Sequence, residues 1–106
     1  GHPSVSEAAA IGVPDSLTGE AIVCFVVLKP NHPSDAAVLE AEVIRALGKT
    51  FRPKEIRFVS DLPKTRSAKI VRRVIRAKYL GAPLGDLASI ENPSAIEEVA
   101  KEKPER

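Results

Sequence analysis

Ala21-Ile22-Val23-Cys24-Phe25-Val26-Val27-Leu28 is an unbroken run of eight apolar residues. A run this short, rich in Val, Ile and Phe, reads as a strand and not a helix. No polar residue alternates through it, so both faces of the strand are expected to be buried. Lys29-Pro30-Asn31-His32-Pro33 ends it, because Pro30 cannot donate to a sheet ladder.

On the N-terminal side, Val5 to Val13 reads as a second strand. Pro14-Asp15 and Leu17-Thr18-Gly19-Glu20 form the turn between the two. On the C-terminal side, Ser34 is a good helix N-cap. Leu39, Val43 and Leu47 then recur every four residues, with Glu40, Glu42 and Arg45 off the stripe, so a helix is expected to end near Gly48. Arg52-Pro53-Lys54 is a break. Glu55-Ile56-Arg57-Phe58-Val59 alternates and reads as a strand with one wet face. A last strong helix is expected over Lys69 to Tyr79, with Ile70, Val71, Val74 and Ile75 as its apolar stripe. The pattern weakens from Gly81, with a short helix over Pro93 to Ala100 capped by Asn92 and a frayed Lys101 to Arg106. The order β, β, α, β, α predicts an α+β domain with a small sheet of about three strands flanked by helices.

The chain has 106 residues, enough for one domain, and its 43% hydrophobic content is ordinary for a folded one. Its abrupt start at Gly1-His2-Pro3 reads as part of something longer. No apolar run approaches the 18 residues of a membrane span. The single cysteine, Cys24, forbids an internal disulfide, fits a reducing cytoplasmic compartment, and reads as a small buried residue.

Chemistry is scarce. The only histidines, His2 and His32, sit beside prolines and read as loop residues. No paired catalytic carboxylates, clustered metal ligands or Gly-rich phosphate loop is present, so no metal residue is assigned. The charge pattern stands out instead. Residues 62–85 hold seven bases and no acid, although the net charge is only +2. They begin with the loop Leu62-Pro63-Lys64-Thr65-Arg66-Ser67-Ala68-Lys69. On the residues alone three readings stay open. The bases form a solvated face covering apolar surface, or track a nucleic-acid backbone through Arg72, Arg73 and Arg76, or bind a phosphate-bearing small molecule. Tyr79 is the only nearby aromatic, so a base-stacking platform is missing.

The run from Asp61 to Arg73 resembles the signature loop of the AMP-forming adenylate synthetases: acyl-CoA synthetases, peptide-synthetase adenylation domains and luciferase. Their C-terminal domain carries Leu-Pro-Lys-Thr-x-Ser-Gly-Lys followed by an apolar and basic helix. His2 to Asp15 is similar to the family's first strand and turn, and Gly19 to Pro30 to its second strand. The resemblance runs in register over residues 2 to about 80. It implies a C-terminal domain over 1–80 and an extension over 81–106, partly helical or disordered. It further implies a two-step ligase that joins a carboxylate to ATP and then passes the acyl group to coenzyme A. A separate N-terminal adenylation domain would bind the acid, ATP and Mg2+. Lys69 would be the catalytic cation of the first step. Lys64, Arg66, Ser67 and Ala68 would form the substrate and AMP loop, and Arg45, Lys49 and Arg52 would meet the coenzyme A phosphates. A protein lysine acetyltransferase and deacetylase acting on Lys69 are further implied partners; nucleic acid and membrane are not. Gly85 to Pro93 resembles the extension of acetyl- and propionyl-type synthetases, which points to a short-chain acid. One departure stands out: the family has Gly before the lysine, and this chain has Ala68. A reshaped but working loop is therefore expected; the rival reading is a free-standing nucleic-acid-binding module using the Arg72, Arg73 and Arg76 face, and a third is an inactive regulatory paralogue marked by Ala68.

Overall fold

The computed structural model describes residues 5–30, 36–48 and 53–100. Strand β1 (Val5–Asp15) and strand β2 (Gly19–Leu28) form an antiparallel hairpin, and β3 (Glu55–Phe58) adds parallel to β2. The sheet order is β1-β2-β3, so the apolar run that defines β2 lies at the centre. The parallel β2–β3 pair requires a crossover, supplied by helix α1 (Ala36–Leu47). Helix α2 (Arg72–Leu80), a 3-10 turn (Pro93–Ala95) and the short helix α3 (Ile96–Ala100) complete the α+β architecture.

The covering of both faces follows from the alternation along β2. Val23 and Phe25 pack with Ile11, Leu62, Ile75 and Val99 on the α2 and α3 side. Cys24 and Val26 pack with Val43 of α1 and Ile56 on the other. Burial pushes the Cys24 thiol up from its usual pKa, which keeps it a protonated, inert packing residue.

Four expectations need correction or completion. Strand β3 has no wet face. Glu55 accepts hydrogen bonds from Arg57 Nε (2.9 Å) and Tyr79 Oη (2.8 Å). Arg57 also donates to the Val99 carbonyl at 2.8 Å and lies over the Tyr79 ring. These polar side chains are satisfied under α2 and α3, which alternation alone cannot reveal. Helix α2 starts at Arg72, not Lys69, because the preceding backbone pairs across the loop: Lys64 bridges Ile70, and the Val71 N–H donates to the Pro63 carbonyl at 3.0 Å. The helix ends in a Schellman motif at Gly81, φ 71°, with Gly81 N–H on Lys78 O and Ala82 N–H on Ala77 O. Asn92 makes no side-chain cap to the turn that follows it. In the described part of the extension, residues 81–100, the first stretch runs largely exposed, while Ile90 and Ile96 are buried and pack with Val74 of α2 in a small cluster. The expected N-cap Ser34, along with His2, His32 and Lys101 to Arg106, lies outside the described residues.

Candidate functional site

The basic loop is built from its base upward. Leu62 is fully buried in the core cluster beside Phe25 and Ile75, and Pro63 is buried with it. The chain then turns sharply. Thr65 N–H donates to the Lys69 carbonyl, and Ala68 N–H donates to the Thr65 carbonyl, each at 2.9 Å. Lys69 N–H reaches Thr65 Oγ1 at 3.2 Å, and the Thr65 and Ser67 hydroxyls are 3.1 Å apart. This is a tight hairpin of three connecting residues, closed by one residue in the left-handed region. That residue is Ala68, φ 70°, and no other non-glycine among the described residues has a positive φ. The loop is therefore not reshaped to suit alanine. It keeps a conformation that suits glycine, and the Cβ costs roughly 1–2 kcal/mol.

The two lysines are separated by this geometry. Lys64 is only 21% exposed, and its amine contacts both Glu7 oxygens at 2.7 and 2.9 Å and Asp61 Oδ1 at 2.9 Å. The hydrogen bond to Glu7, followed by that to Asp61, raises the Lys64 pKa above its ordinary value. Burial pushes the Asp61 carboxyl up. The hydrogen bonds from Lys64, Asn92 and the Leu62 amide outweigh it and hold the net pKa below the usual range. Lys69 lies on the returning limb of the hairpin, exposed, with no side-chain partner among the described residues. Arg66 is 92% exposed and lies 3.9 Å from Glu91, too far for a strong pair. Thr65, Arg66 and Ser67 line one side of an open depression, and Ala88, Ser89 and Glu91 line the other.

Three further bases of the block, Arg73, Arg76 and Lys78, brace the fold. Arg73 donates to the Leu84 and Asp86 carbonyls, both at 2.7 Å, and Arg76 donates to the Gly12 carbonyl at 2.8 Å. Lys78 lies 3.5 Å from Glu97. A phosphate backbone would have to compete with these contacts for most of the basic face. Arg45 sits exposed in the last turn of α1, whose Val43 packs on the sheet face opposite the loop. Lys49 and Arg52 lie outside the described residues. Among the described residues no group of three or more His, Cys, Asp or Glu side chains is arranged to hold a metal ion, and no helix is long and apolar enough to cross a membrane.

The residue that pattern reading missed is Asn92. Its side chain reaches back to the loop base, and no local signal separates that role from helix capping.

Residues 1–69 match the family model of the AMP-binding enzyme C-terminal domain. The acetyl-coenzyme A synthetase of Methanothrix soehngenii is 47% identical over 103 residues, covering 94% of this chain and 15% of that protein. The crystal structure of an acyl-CoA synthetase from Brucella canis superposes with a TM-score of 0.60 at 40% identity, over 71% of this chain and 14% of that one. Acetoacetyl-CoA synthetase from Streptomyces lividans superposes over 93% of this chain and 16% of its own, with a TM-score of 0.71. At 23% identity that match speaks for the fold alone. The chain thus spans about 15% of the length of the curated relatives it matches.

Proposed function

The chain belongs to the AMP-binding enzyme C-terminal domain family, and on that premise we propose that it is the mobile closing domain of an AMP-forming acyl-CoA ligase. The reaction is carboxylate, ATP and coenzyme A to acyl-CoA, AMP and pyrophosphate, with a short-chain acid such as acetate or propionate as substrate. Residues 1–80 form the domain proper, and 81–106 are its extension.

One observation carries this reading. Of the two loop lysines, Lys64 is neutralised by Glu7 and Asp61, while Lys69 is exposed on a hydrogen-bonded hairpin with no side-chain partner among the described residues. In the first step a carboxylate oxygen attacks the α-phosphorus and pyrophosphate leaves with the bonding electrons. Two anionic groups are pressed together, and the Lys69 ammonium offsets that charge. A preorganised donor of this kind contributes about 10²–10³ in rate. A compact ammonium on a flexible stem can enter a narrow site and withdraw. Arg66 and Ser67 border the substrate side of the loop, and Ala68 sets the turn that presents Lys69. In the second step the coenzyme A thiol loses its proton to solvent, its sulfur attacks the acyl carbon, and AMP leaves with the electrons of the acyl carbon–oxygen bond. Arg45 lies on the opposite sheet side, so turning the domain would replace the loop with the α1 end, where Arg45 would meet coenzyme A phosphates; Lys49 and Arg52, outside the described residues, are the further candidates for that role. Mg2+ would accompany ATP on the preceding adenylation domain. Acetylation of Lys69 would remove its charge, so a lysine acetyltransferase and deacetylase are the regulatory partners of this reading, and a cytoplasmic location suits it.

In the full-length enzyme, Lys69→Ala should lower acid-dependent ATP–pyrophosphate exchange by about 10²–10³-fold. Thioester formation from supplied acyl-adenylate should persist. Equal loss in both half-reactions would sink the role given to Lys69.

A further inference from the structure

The base of the loop is tied to a residue outside the matched 1–69 stretch. Asn92 Oδ1 accepts a hydrogen bond from the Lys64 N–H at 2.8 Å. Its Nδ2 donates to Asp61 Oδ2 at 2.9 Å and to the Leu62 carbonyl at 2.8 Å. Both amide hydrogens and one oxygen lone pair are used, so a single side chain reads three points of the loop base. The neighbouring backbone adds to the hold. The Glu91 N–H donates to the Lys64 carbonyl at 2.8 Å, and Thr65 bridges Ile90. Ile90 is only 7% exposed and packs with Val74 and Ile96, so the clamp is anchored in a core and not in solvent.

The pattern demands an amide. Two acceptors, the Asp61 carboxylate and the Leu62 carbonyl, face Nδ2, and one donor faces Oδ1. A carboxylate at position 92 would meet both acceptors without hydrogens and add a second negative charge beside Asp61. Among the described residues the cation holding that group is the Lys64 amine, already shared between Asp61 and Glu7. None of the Asn92 contacts reaches Lys69 itself. They act on the hairpin from which Lys69 projects.

We propose that Asn92 is a positioning residue for the first half-reaction: through the base of the loop it sets where the Lys69 ammonium is delivered. The proposal rests on the role given to Lys69 above. Misplacement of a reacting charge by about 1 Å costs up to about 100-fold in rate.

The test uses the full-length enzyme and measures both half-reactions. Asn92→Ala should lower kcat for ATP–pyrophosphate exchange about 10–100-fold, with KM for ATP and acid nearly unchanged and thioester formation retained. Asn92→Asp should be at least as damaging. The exchanged pair Asp61→Asn with Asn92→Asp restores a donor facing an acceptor between positions 61 and 92 while leaving the Leu62 carbonyl without its donor, so it should recover part of the kcat lost in Asn92→Asp. Wild-type enzyme without exchange activity would overturn the proposed function and this inference together. Active wild type with an unaffected Asn92→Ala kcat would overturn this inference alone. So would equal loss in both half-reactions, which marks a purely structural residue, or an exchanged pair that recovers nothing.

Discussion

Lys64 and Lys69 stand in one loop, a few residues apart, in opposite surroundings. At Lys64 the chain has just left the core, and the amine is enclosed by two carboxylates and a backbone tied to Asn92. At Lys69 the chain has turned through a three-residue hairpin, and the amine faces solvent. The base is held by buried side chains and by polar groups that have found partners. The tip is joined to that base by only a few backbone hydrogen bonds. Two identical side chains thereby divide the work. One charge is neutralised to fix the geometry, and the other stays available to act on a substrate.

The largest way to break this contrast is Leu62→Ala. It empties a fully buried site beneath the loop and should cost about 2–5 kcal/mol. Urea or thermal unfolding of the chain measures it, and a loss below about 1 kcal/mol would show that the base is not anchored as described. Next is Lys64→Met, which leaves Glu7 and Asp61 without their cation and should cost about 1–2 kcal/mol. Its pH dependence sharpens the contrast. The Asp61 pKa is depressed, so its contribution is present above the ordinary carboxylate value and is lost as pH falls through its lower folded value. The Lys64 pKa is raised, so its contribution is present below the ordinary lysine value and is lost as pH rises through the folded one. The stability gap between wild type and Lys64→Met should therefore be flat from about pH 5 to 9 and narrow at both extremes. A gap independent of pH throughout would refute the ion-pair account. The smallest effect is at the tip. Ala68→Gly removes the left-handed strain but loosens the unfolded chain, for a net gain of about 0.5–1 kcal/mol by urea unfolding. A loss instead would mean that position 68 does not hold its positive φ in solution.

Much of the fold was legible because it depends on short-range pattern. The run from Ala21 to Leu28 required a sheet covered on both faces, and Val23 with Phe25 against Cys24 with Val26 shows both coverings. The stripe of Leu39 and Val43 announced α1, and both residues are buried. The loop was legible as a motif. Its internal roles were not, because they depend on partners far along the chain. Glu7, which neutralises Lys64, is 57 residues away, and Asn92 is 28. Arg73 and Arg76 read as a wet basic face and are exposed, but their guanidinium groups also bond carbonyls at Leu84, Asp86 and Gly12. Backbone carbonyls leave no trace in composition, so that pairing could not be foreseen. The early start expected for α2 failed for a related reason: helical periodicity does not show that Ile70 and Val71 are already paired across the hairpin.

By itself, then, the sequence determined the sheet, its two covered faces, the turn before Lys69 and the family resemblance. Each of these rests on side-chain periodicity or local backbone preference, which neighbouring residues encode. The tertiary structure alone decided which lysine is neutralised, which arginines brace the domain, and that Asn92 grips the loop instead of capping a helix. Those outcomes depend on groups brought together only when the chain folds, and on electrostatics and hydrogen bonding that act over a few ångströms of space regardless of distance along the chain.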